Sequence, residues 1–182
     1  MMSTVLNGWD VDAMNEAVDG VRQQPDAGRL TWRSRVQWDG GFGLDVRTRE
    51  IEQLGEVIER PFTLRGDHPP ELLGGNTGAT AIELLLAALG SCMAGTFAAQ
   101  ATARGVEIDS LDVDVSGDID LNGFFGLQPT PAGLSDVTLT FHVSSDAAPE
   151  VLDEIAEAAS AHSPVYDSVT RPVEVTTKVG GD

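Results

Sequence analysis

Cys92 is the only cysteine among the chain's 182 residues, and it is the residue type best suited to nucleophilic or redox chemistry. A thiolate attacks peroxide oxygen or disulfide sulfur and rises reversibly to sulfenic acid, but near neutral pH it needs a nearby cation to be populated. Arg35 and Arg47 are the cations the sequence nominates. Glu83 lies nine residues upstream, which at about 100° per residue is the opposite side of the same helix. It reads as a helix-capping residue, with a pocket role as the alternative. Other polar groups read more plainly. Asp112, Asp114, Asp118 and Asp120 alternate along a strand without the Gly turn and bidentate Glu of a calcium loop, so they form a solvated face. His68, His142 and His162 lack metal-ligand spacing. His162 adjoins Ser163, yet no carboxylate follows at triad spacing, and it reads as a helix-end histidine. Gly74-Gly75-Asn76-Thr77-Gly78 has no GK[ST] and is no phosphate loop. No motif calls for a cofactor or a metal.

Cys92 must be held by the segment ELLLAALGSCMAGTFAAQA, Glu83 to Ala101, after which the next charge is Arg104. Three readings compete: a membrane span, a buried core helix, and a helix presenting one thiol. The length satisfies a span of about twenty apolar residues, but the run is rich in Ala and Gly and lacks an aromatic belt or basic flank. A helix apolar on every side is expected where protein covers it all round. Gly90, Ala94, Gly95, Ala98 and Ala99 would let other backbones approach closely, which suits packing against a second copy. The helix is expected to begin at Thr80, where Thr-Ala-Ile-Glu supplies a capping box, and to end at Gly105.

The flanking elements follow from periodicity. Asp10 to Gln24 places Val11, Met14, Val18 and Val21 at helical spacing, a short arm broken by Pro25 and Gly28. Leu30, Trp32, Val36 and Trp38 alternate with polar residues, and Asp39-Gly40-Gly41 leads into Phe42, Leu44 and Val46, which is a hairpin. Glu56 to Arg65 predicts a further strand with Pro61 at an edge or bulge. Strands are expected around Leu111 to Ile119, Val137 to Val143 and Val173 to Val179. A helix is expected over Ala147 to Ala161, with Ser145 or Asp146 as cap, and a short helical segment after Ser163-Pro164. The order β-β-β, long α, β-β, α, β predicts an α+β fold with antiparallel sheets. Residues 1–28 read as an N-terminal arm and 29–182 as the domain.

Eleven basic residues against twenty-nine acidic ones give a formal charge of -18, which opposes nucleic acid and anionic lipid as partners. The N-terminus has no basic start with an apolar run, and a lone cysteine forms no internal disulfide; both fit the cytoplasm.

The segments ELLLAALGSC and SPVYDSVTRPVEV, with the β-rich flanks, resemble the OsmC/Ohr superfamily of osmotically induced and organic hydroperoxide resistance proteins, over about Leu30 to Val179. The resemblance implies an intertwined homodimer in which antiparallel sheets enclose two long central helices. It also implies a helix-borne cysteine that reduces organic hydroperoxides in oxidative stress defence, completed by a thiol reductant. Cys92 falls on the attacking thiol. The second, resolving cysteine falls on Ser163, the arginine after the Gly-Gly of the first hairpin on Phe42, and the catalytic glutamate on Ile82, one residue before Glu83. The expected function is therefore a one-cysteine, thiol-dependent peroxidase whose reductant is an external thiol. The alternative is a non-catalytic dimer that binds an apolar ligand or a protein partner where Phe42 and Ser163 have altered the pocket; a purely structural dimer is a third possibility.

Overall fold

The computed structural model describes residues 4–180. The chain is mixed α and β, and divides into two compact units, the first ending at Leu85 and the second beginning at Leu86.

The first unit opens with a two-stranded ribbon, β1 (Val5–Leu6) and β2 (Trp9–Asp10), followed by helix α1 (Val11–Gln23). Asp10 caps α1 by accepting the Ala13 amide proton at 3.1 Å. No residue of α1 is buried, so its apolar stripe finds little to cover it. The sheet is built on the hairpin of β3 (Leu30–Gly40) and β4 (Gly43–Gln53), as the alternation predicts. Gly40 and Gly41 take positive φ values of 118° and 53° at the turn, a backbone that side chains beyond glycine rarely adopt. The turn also accepts the Trp38 indole N–H, on the Gly41 carbonyl at 2.9 Å. The predicted strand over Glu56 to Arg65 is instead two, β5 (Glu56–Glu59) and β6 (Thr63–Gly66), both antiparallel to β4. Pro61 has no amide proton for a ladder, which separates them.

Strand register sorts the side chains of this sheet. Trp32 faces Ile51, Val36 faces Val46 and Trp38 faces Leu44, while Ile51 also faces Ile58 and Val46 faces Leu64. These share one apolar face, yet Trp32 and Trp38 remain 69% and 68% exposed. Between Trp32 and Ser34 the pairing shifts by one residue on β4, which keeps Ile51 on the apolar face.

Helix α2 (Ala81–Ala103) begins as the capping box requires. The Glu83 amide donates to Thr80 Oγ1 at 3.2 Å, and the Thr80 amide donates to Glu83 Oε2 at 2.6 Å. Its length and composition would suffice to cross a membrane. Its buried residues Leu89, Met93, Phe97 and Ala101 recur every fourth position, however, and form one cluster with Ile155 and Ala159. It is a core helix of the second unit.

That unit continues with β7 (Ser110–Ile119), the short helix α3 (Leu121–Phe124) and β8 (Leu134–Ser144). β7 and β8 pair antiparallel, with Leu111, Val113 and Val115 half-buried and the intervening Asp112, Asp114 and Asp118 exposed. Phe97 meets Phe141 with ring centroids 5.1 Å apart. Gly90 is explained within the chain, since a Cβ there would lie 2.9 Å from Val115 Cγ2, whereas Gly95 faces open space. Helix α4 (Pro149–His162) packs on α2, and α5 (Pro164–Thr170) follows. Ser145 and Asp146 do not cap α4. Ala148 stands at the cap, and Ser145 accepts the Ala147 amide proton and donates to the Glu107 carbonyl instead. Pro149 at the first turn sets the helical φ without a capping side chain.

The strand expected over Val173 to Val179 is absent. The segment has the alternating sequence but pairs with no strand among the described residues, and Val179 is 99% exposed. Alternation specifies two faces; without a ladder partner it makes no strand.

Candidate functional site

Cys92 lies in the middle of α2, half-buried. Ser163 ends α4 and starts α5, and the chain reverses there because Pro164 occupies the first helical position of α5. The turn brings the serine hydroxyl against the thiol: Ser163 Oγ donates to Cys92 Sγ at 3.1 Å. Ser163 is 1% exposed, so this is an interior contact. Its oxygen also accepts the Tyr166 amide proton at 3.3 Å as the cap of α5. Cap and thiol contact together fix the hydroxyl from both sides. Among the described residues of its own unit, that hydroxyl is the hydrogen-bond partner of the sulfur. A donor at this distance stabilises negative charge on sulfur, and a hydroxyl in place of a second thiol closes off an internal disulfide.

The remaining predicted site residues lie in the first unit. Phe42 stacks on His68 with ring centroids 4.1 Å apart and planes 10° from parallel. It lines an open cavity of about 270 Å³ with Asp39, Arg65, Asp67, Leu73 and Thr77. Neither Cys92 nor Ser163 lines this cavity. Ile82 and Glu83 stand in the first turn of α2. Glu83 accepts both the amide and the hydroxyl protons of Thr80, which holds its carboxyl below the usual carboxylate range. Arg35 and Arg47 face each other across β3 and β4.

Sequence reasoning passed over the network behind the cavity. Arg65 donates to Asp39 at 2.6 Å and to Asp45 at 3.0 Å, and its Nε reaches Thr77 Oγ1 at 3.3 Å. Thr77 in turn donates to Asp67 Oδ2 at 2.7 Å. Asp67, 5% exposed, also accepts amide protons from His68, Gly75 and Thr77. These donors, the Thr77 hydroxyl foremost, hold its carboxyl far below the usual range. The segment 67–79 is thereby wound around one carboxylate. Its sequence signal was only a loop rich in Gly and Pro containing an Asp.

The sequence model of the family described as OsmC-like protein matches residues 74–178, which include both Cys92 and Ser163. Among curated proteins there is no sequence match. Solved structures agree in fold. An OsmC-like protein from Mycoplasma pneumoniae superposes with a TM-score of 0.61 at 18% identity, covering 77% of this chain and 87% of that one. An organic hydroperoxide resistance protein from Legionella pneumophila gives 0.56 at 15% identity, with 76% and 88% covered. Another such protein, from Elizabethkingia anophelis, gives 0.55 at 18%, with 78% and 88% covered.

Proposed function

Because the chain belongs to the OsmC-like protein family, we propose that it serves in oxidative stress defence as a one-cysteine peroxidase that reduces organic hydroperoxides. Cys92 is the nucleophile. Its sulfur attacks a peroxide oxygen, the O–O bond breaks, and the departing alkoxide takes up the thiol proton, giving an alcohol and Cys92 sulfenic acid. An external thiol then condenses with the sulfenic acid, releasing water and leaving a mixed disulfide. A second thiol exchanges with that disulfide, restoring Cys92 and carrying away the oxidised reductant. Ser163 cannot resolve the sulfenic acid as a cysteine would, so the reductant must come from outside the chain.

The single observation that carries this reading is the 3.1 Å contact from the buried Ser163 hydroxyl to a half-buried sulfur. An inert core thiol needs no donor; a nucleophilic sulfur gains from one. The apolar sheet face bearing Trp32 and Trp38 supports a homodimer, since an exposed patch of that kind marks a protein contact. The cytoplasm, where thiols stay reduced, suits a lone cysteine acting with a thiol partner.

The test is equimolar cumene hydroperoxide added to the reduced protein, followed by intact-mass measurement with and without a small thiol. The expected products are the sulfenic acid and, with thiol present, the mixed disulfide, both lost in Cys92→Ala. If Cys92 stays unmodified while the peroxide persists, the peroxidase reading fails.

A further inference from the structure

Arg35 and Arg47 are directly opposed across β3 and β4, and the row continues to Thr63, which is paired with Arg47 on β6. All three side chains lie on the polar face of the sheet and are exposed. Like charges directly opposite each other in an antiparallel pair are destabilising. A carboxylate partner would remove that cost, and the neighbouring arginines have such partners. Arg29 holds Asp26, Arg33 holds Glu52, Arg49 holds Glu50, and Arg65 holds Asp39 and Asp45. Arg60 lies over the Phe62 ring at 4.8 Å. Arg35 and Arg47 make no ion pair among the described residues, in a chain with twenty-nine acidic side chains. The nearest carboxylate along the strand, that of Asp45, is taken by Arg65.

We infer that the row Arg35–Arg47–Thr63 is a binding site for a compact anion, a carboxylate or phosphate group of a small molecule. Arginines on directly opposed positions of one face can offer their guanidinium groups together to a planar, multidentate acceptor, and the neighbouring Thr63 hydroxyl adds a neutral donor. The charge of -18 selects for size. An extended polyanion would bring many charges into the repulsive field of the whole surface, whereas a single small group within a Debye length of the pair meets mainly the two arginines. The proposal does not rest on the Cys92 reading and survives if that reading fails.

The full chain is titrated calorimetrically with inorganic phosphate and, separately, with succinate, against sodium chloride at matched ionic strength. Thermal melts are recorded under the same conditions. Phosphate or succinate should bind and raise the melting temperature beyond the chloride control. R35Q and R47Q should each weaken that binding at least tenfold, and R60Q should leave it unchanged. Preference for phosphate assigns a phosphoryl ligand, and preference for succinate a carboxylate. Binding no stronger than chloride, or binding retained in both R35Q and R47Q, overturns the site. Both variants relieve repulsion between like charges, so unliganded R35Q and R47Q should melt no lower than the parent, which separates lost binding from lost fold.

Discussion

If Ser163 occupies the place of a resolving cysteine, Ser163→Cys should restore an internal disulfide to Cys92. The two side-chain atoms are 3.1 Å apart. A disulfide needs about 2.05 Å, and the longer Cβ–S bond of cysteine takes up part of that gap. The bridge would close a loop between residues 71 apart in sequence, for which chain-entropy arguments give about 4 kcal/mol of stabilisation at most. The substitution also removes the Ser163 cap of α5, at about 1 kcal/mol, but this loss is common to the oxidised and reduced variant and cancels between them. For a chain of this size, about 4 kcal/mol corresponds to a difference of about 10 °C in melting temperature. The assay is intact mass after one equivalent of cumene hydroperoxide, then melts with and without dithiothreitol. The expected product is a monomer lighter by two hydrogen atoms, melting higher until reduced. If peroxide or diamide yields only intermolecular disulfides, or the bridged monomer never forms, the placement of Ser163 beside Cys92 is refuted.

Ser163→Ala removes the donor to sulfur and should slow the reaction of Cys92 with cumene hydroperoxide about tenfold, by the ~1.5 kcal/mol of a hydrogen bond to a charged group. A rate independent of the hydroxyl would count against its role. Asp67 has its carboxyl held low by four donors, so its ionised form adds stability that is complete above the unfolded value of about 3.9. That contribution is lost as pH falls through the lower folded value. Asp67→Asn should therefore melt lower than the parent at pH 6, with the gap narrowing in acid; parallel melting curves throughout would exclude the linkage. Trp32→Glu should leave far-UV circular dichroism intact but weaken a homodimer by about 2 kcal/mol, or about thirtyfold, as expected for an interface tryptophan. Sedimentation velocity reads this directly, and an unchanged association state would remove the apolar sheet face from the interface.

Elements whose signals are local were legible. The β3–β4 hairpin followed from alternation around Asp39-Gly40-Gly41, and the α2 start from Thr80 and Glu83, because a turn and a cap are set by residues within a few positions. Ser-Pro at 163–164 likewise marked the restart of a helix. Elements that depend on a distant neighbour were not. Val173 to Val179 carries the sequence of a strand, but no ladder forms for it in the single chain. The division into β5 and β6 depended on Pro61 acting as an interruption and not merely an edge marker. At the candidate site, Cys92 stood out as the lone cysteine and Ser163 was named through a family resemblance; periodicity alone gave no reason for residues 71 apart to meet. The Asp67 network left no pattern at all, since its donors are mostly backbone amides, which every residue but proline possesses.

The winding of segment 67–79 around Asp67 has a bearing on how this sequence can drift. A methyl group at Gly78 would collide with the carbonyl oxygen of Arg65, and one at Gly74 with that of His68; at Gly43 it would strike the Asp39 carboxylate that holds Arg65. In the first two cases the obstacle is main chain, which has no rotamer to give way. Tolerance to replacement in the first unit should thus run against the usual expectation for surface connections, with a stretch whose regular structure is a single 3-10 turn, Pro70–Leu72, among its least variable parts. A saturation library would find its silent positions on the exposed acidic face of β7, at Asp112, Asp114 and Asp118, sooner than in this tightly wound corner.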